Sequence, residues 1–252
     1  METTWDLTPL FPGLESPEFQ RAWEGLKGRI GELKGLLERE APLPEVLAAL
    51  DAFLEEATPL RAYLYARYSA DTRDEAALAK LSELEILFLD FQRLRPRLTR
   101  YLALKDPEEA GPYRLLVEEA KEEALHMMPE GEEVLAAELS LSGRAAWDKL
   151  HESLTSQITA VVDGEEMPIT KVRNLYFRPE EEVRKKAYEA ELKAWEAHEV
   201  PLAFALNGVK GEASVLNRRR GYRDDLEPTL HENRITRKAL KAMLEAVGES
   251  LP

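Results

Sequence analysis

The sequence contains no cysteine and only four histidines among its 252 residues. The missing cysteines exclude disulfides, thiolate metal sites and a cysteine nucleophile. An excess of basic charge is missing as well. Lys and Arg number 34 against 48 Asp and Glu, a formal net charge of −14. Nucleic-acid binding wants a basic face, so that partner class is excluded. Self-repulsion of this size suits a protein kept in solution in the cytoplasm. Long hydrophobic runs are absent too. "PLAFAL" at 201–206 falls far short of the roughly 20 apolar residues of a membrane-spanning helix, so no membrane partner is expected. "METTWDLTPLF" has neither the basic start nor the apolar stretch of a signal peptide, and the expectation is a cytoplasmic protein. Asn and Gln are sparse while Glu, Arg and Leu abound. That is a thermophile's composition, and a GC-rich genome gives part of the same bias.

What is present is a core-forming chain, 44% hydrophobic and 33% charged, long enough for one large domain or two modest ones. Its dominant period is helical. Over 16–40, Ser16 reads as N-cap and Pro17 as the first helical residue. Phe19, Trp23, Leu26, Ile30, Leu33 and Leu37 then recur every three or four positions. The same spacing runs over 43–70 through Leu47, Leu50, Leu54, Leu60, Leu64 and Tyr68, with Pro59 expected to kink or break it. "TRDE" at 72–75 reads as a capping box for a third long helix with a kink at Pro96. Such elements make long helical hairpins. "KDPEEAGPY" at 105–113 is a turn, after which helices resume.

One passage departs from this pattern. "QITAVVDGEEMPITKVRNLYF" (157–177) places β-rich arms on either side of Asp163-Gly164, a hairpin signal, with strands expected near 158–162 and 168–172. After Pro179 the helical period returns to about Arg220, with a bend expected at Pro201 and a stop at Gly221. A short helix and a last one capped by Thr236 follow. The fold class is mainly α, with one small β-hairpin near 157–173.

No catalytic site is complete. His-Glu pairs stand at 151–152, 198–199 and 231–232, but the H-E-x-x-H metal helix needs a second His four residues after the first. Thr155, Leu202 and Ile235 occupy those positions. The three arginines at 218–220 read either as an anion clamp or as cations complementing a helix C-terminus. The tyrosines of "YLYARY" (63–68) read as an aromatic platform or, at helical spacing, as core and flank. The chain has no P-loop, no G-x-G-x-x-G and no G-x-S-x-G.

Several stretches taken in order resemble the N-terminal portion of oligoendopeptidase F, a zinc metallopeptidase family of the thimet-oligopeptidase group. They are "WDLTPLFPGLESPEF", "HMMPEGEEVLAAELSLSGRAAWDKLHESLTSQI" (126–158), "RPEEEVRKKAYEAELKAW" (178–195) and "ALNGVKGEASVLNRRRGYRDDLEPTLHENRI" (205–235). The resemblance implies long helical hairpins forming one wall of a peptidase channel that admits short, unfolded peptides. It implies helical hairpins over 1–105, an oligopeptidase-F-type helical region with the hairpin over 106–180, and from 181 to 252 the start of a catalytic domain. In that family the H-E-x-x-H helix lies downstream of the Arg-Gly-Tyr segment, so zinc would belong to the full-length enzyme, with none bound by this chain. No family catalytic residue and no metal ligand maps onto it. Asn207, Lys210, Arg220 and Tyr222 match the family pattern and are the channel-facing candidates, with Gly221 ending a helix. A wall standing alone would expose apolar surface and self-associate. The alternative is a free-standing helical interaction module without catalysis.

Overall fold

The structure, a computed structural model, describes residues 6–70 and 74–251. It is 78% helical, and among the described residues the one sheet is a two-stranded antiparallel hairpin, as the sequence predicts. The chain forms two compact units, Met1–Glu138 and Leu139–Pro252.

The first unit is built on three long helices. Helix α1 (Pro17–Glu38) opens with Ser16, whose hydroxyl accepts the Phe19 N–H at 3.2 Å, and with Pro17, which has no N–H to lose. The six expected stripe residues from Phe19 to Leu37 are all buried. They pack against α2 (Leu43–Ala70), which packs in turn on α3 (Glu75–Ala103). Phe53 of α2 stacks on Phe91 of α3 with centroids 4.3 Å apart, and Phe11 sits edge-on to Phe19 and Tyr63 at 5.4 and 5.3 Å. The buried Tyr101 hydroxyl donates to the Ala41 carbonyl at 2.5 Å, tying the end of α3 to the α1–α2 turn. Thr72 of the expected capping box lies outside the described residues. The cap of α3 is Asp74, which accepts the Ala77 N–H at 2.9 Å and an ion pair from Arg67 at 2.6 Å.

Neither Pro59 nor Pro96 ends its helix: α2 and α3 run through them. An interior proline costs about 3 kcal/mol. Phe53 and Ala57 before Pro59, and Leu60 and Leu64 after it, are all buried in one core. At about 1.5–3 kcal/mol for each large side chain, that burial outweighs the proline. A 3-10 segment (Pro107–Tyr113) with Gly111 at φ 56° leads to α4 (Arg114–Leu125), and α5 (Glu130–Ser140) carries the chain onward.

The second unit contains α6 (Arg144–Gln157), strands β1 (Thr159–Val162) and β2 (Glu165–Pro168), and helices α7 (Ile169–Asn174), α8 (Glu181–Glu196), α9 (Glu199–Arg219), α10 (Glu227–Glu232) and α11 (Arg237–Ser250). Asp163 and Gly164, at φ 51° and 85°, form the two-residue turn, and Val162 pairs with Glu165. The second strand therefore starts three residues before the expected 168–172, and that stretch is mostly helix. A two-residue turn leaves the partner strand no choice but to begin at once. Pro168 has no N–H to extend the ladder, and Ile169 and Val172, three apart, are both buried on one helical face. The expected bend at Pro201 is likewise replaced by an end and a restart. Helix α8 stops at Glu196, and Pro201 lies in the first turn of α9, where a missing N–H costs nothing.

The core of this unit is small: Ile158, Ala160, Val162, Ile169, Val172, Ala187 and Ala194. Phe204 on α9 is 62% exposed, and Met243, Leu244 and Val247 of α11 are 59%, 62% and 56% exposed.

Among the described residues, α1, α9 and α10 are closed by one device. Beyond α1, Glu40 takes φ 50°, with Ala41 N–H bonded to the Leu36 carbonyl at 2.9 Å and Glu40 N–H to that of Leu37 at 3.3 Å. Gly221 (φ 74°) closes α9 through the matching bonds, as expected, and Arg234 (φ 54°) closes α10. A left-handed residue with a Cβ is strained where glycine is not. Glu40→Gly is expected to stabilise the first unit by about 0.5–1 kcal/mol, and Gly221→Ala to destabilise the second by about 1–2 kcal/mol. Urea unfolding followed by far-UV circular dichroism checks both, and a loss of stability in Glu40→Gly would contradict the strain argument.

Candidate functional site

Helix α9 and the turn after it carry all the sequence-predicted site residues. Asn207 and Lys210 are exposed in the middle of the helix. Ser214 and Asn217 continue the same face at spacings of three and four. Arg220 is the C-cap, with its N–H on the Leu216 carbonyl at 2.9 Å. Tyr222, past Gly221, sets its ring edge-on to His231 with centroids 6.2 Å apart. From Asn207 to Arg220 the helix climbs about 20 Å at 1.5 Å per residue, so these four residues do not converge on one point.

What the fold does bring together is a pair of adjacent aspartates, Asp224 and Asp225, in the turn before α10. Asp225 turns back onto α9, accepting the Ser214 hydroxyl at 2.5 Å and the Asn217 amide at 3.0 Å. The Ser214 bond chiefly, then the Asn217 bond and the nearby Lys210 charge, hold its carboxyl below the ordinary range. Asp224 points the other way. Both its oxygens lie 2.8 Å from the Arg237 guanidinium on α11, and its Oδ1 also accepts the N–H groups of Leu226 and Glu227 at 3.1 Å. That ion pair is the main reason its carboxyl is also acidic. Two adjacent carboxylates thus anchor the Arg-Gly-Tyr turn to the helix before it and the helix after it.

Further contacts fix α9 on its other side. The Glu212 carboxylate accepts the Arg144 N–H at 2.6 Å and so caps α6, which has no capping side chain of its own. Gly208 lies against the Trp147 indole: a Cβ there would come within 2.3 Å of the ring. Around the hairpin, the buried Glu191 of α8 accepts three bonds, from the Tyr176 hydroxyl (2.5 Å), Arg173 Nε (2.8 Å) and Trp195 Nε1 (2.9 Å). Of these five contacts only Glu191–Trp195, four residues apart on α8, has a spacing that sequence alone shows. For the others the one local signal is the uncapped start of α6 at Gly143-Arg144, which calls for an acceptor from elsewhere.

The histidines are scattered. His126 follows α4, His151 lies within α6, His198 precedes α9 with Nδ1 2.8 Å from the Ala194 carbonyl, and His231 is at the end of α10. Among the described residues no three His, Asp or Glu side chains are placed to hold a metal ion. The described residues do not fit a zinc site.

The family described as Oligopeptidase F matches residues 101–159, from the end of α3 to the start of β1. Oligopeptidase PepF of Bacillus subtilis (strain 168) is 28% identical over 277 aligned residues that take in 100% of this chain. The chain resembles the N-terminal portion of oligoendopeptidase F. It spans 40% of the length of that curated relative. Among solved structures, oligoendopeptidase-F from Enterococcus faecium superposes with a TM-score of 0.69 at 16% identity, over 91% of this chain and 50% of that one. PZ peptidase A, solved with an inhibitor, gives 0.64 at 16% identity over 92% and 40%. At such identities these two likenesses show the fold alone.

The Glu191 cluster makes the second unit sensitive to pH. Burial is the largest influence on Glu191 and raises its pKa. The bonds from Tyr176, Trp195 and Arg173 together outweigh it, and the carboxyl ends below its ordinary 4.5. Its stabilisation is therefore complete above 4.5 and lost as pH falls through the lower folded value. Tyr176, raised by burial first and then by its bond to Glu191, reaches about 12 from an ordinary 10.0. Its contribution is complete below 10 and lost as pH rises through about 12. Glu191→Ala, which strands the Tyr176 and Trp195 donors, is expected to cost about 2–4 kcal/mol. It should also reduce the acid dependence of the unfolding midpoint. An unchanged acid dependence would contradict this assignment.

Proposed function

We propose that this chain is the N-terminal part of a zinc-dependent metallo-oligoendopeptidase that hydrolyses short, unfolded peptides in the cytoplasm. In this reading its helices form channel wall, and the zinc ligands and catalytic base come from sequence outside these 252 residues. The supporting observation is the full-length similarity to a peptidase more than twice as long, 28% identical across 100% of this chain. The scatter of the four histidines agrees with a metal held elsewhere. The division into 1–105, 106–180 and 181–252, the last opening the catalytic domain, belongs to the same proposal. So does a channel-facing role for Asn207, Lys210, Arg220 and Tyr222. Membrane attachment through a helix has no support, since no helix among the described residues is long and apolar enough to cross a bilayer.

The purified chain is expected to retain less than about 0.1 zinc per molecule after dialysis and to leave a quenched peptide substrate uncut, because zinc hydrolysis needs three ligands and a base. Supplying the downstream product of the same reading frame is expected to restore both zinc and cleavage. His231→Ala should leave the restored activity within about twofold, as befits a surface change at a helix end. Near-stoichiometric zinc in the isolated chain, abolished by His231→Ala, would overturn the proposal.

The exposed apolar side chains of α9 and α11 give a second test. The isolated chain is expected to enhance the fluorescence of an apolar dye and to self-associate at high concentration. A monodisperse monomer that binds no dye would favour the free-standing interaction module.

A further inference from the structure

We draw no further inference here: the strongest candidate, the apolar stripe of Met243, Leu244 and Val247 along α11, carries nothing because nothing in the structure shows what covers it.

Discussion

Apolar side chains on a long helix must be covered, and the two units meet that demand differently. In the first, α1, α2 and α3 cover one another. Phe19, Leu26, Leu33, Phe53, Leu60 and Leu64 are almost wholly removed from water. Burial on that scale carries two helices through interior prolines and tolerates a strained Glu40. The second unit has no comparable seam. Its core is seven small or medium side chains around a hairpin, while Phe204 and Leu244 stand in solvent.

With so little apolar burial, the second unit relies on directional polar contacts. Four carboxylates each tie together separate elements. Glu191 joins α7 and the turn after it to α8, Glu212 joins α9 to α6, Asp225 joins the Arg-Gly-Tyr turn to α9, and Asp224 joins it to α11. Such bonds fix orientation more than they add stability, since a net hydrogen bond contributes only about 0.5–1.5 kcal/mol.

The helical framework was legible because its signals are local. Ser16-Pro17, the three-and-four spacing from Phe19 to Leu37, Asp163-Gly164, Gly221 and Thr236 each act within a few residues. What sequence leaves open depends on tertiary context. A kink or break was expected at Pro59 and a kink at Pro96, and the buried side chains around Pro59 carry its helix through it unbroken. The strand expected at 168–172 became helix because the tight turn consumed its partner residues earlier. The candidate site was least legible. Asn207, Lys210, Arg220 and Tyr222 could be picked only by resemblance, and the helix spreads them apart. The Asp225 anchor and the Trp147–Gly208 contact join residues 8 to 61 positions apart, with no periodicity to announce them.

The central proposal is that the rest of a peptidase completes this chain, and the exposed apolar face of α11 is the place to test it. Amide hydrogen exchange over residues 237–250 tests it directly, comparing the isolated chain with the same chain bound to the downstream product of its reading frame. A covered face should slow exchange across α11 at least roughly tenfold in the complex, while the already buried α1 and α2 change little. Equal exchange across α11 in both states would show that this face is not where the two parts meet, and would contradict the account.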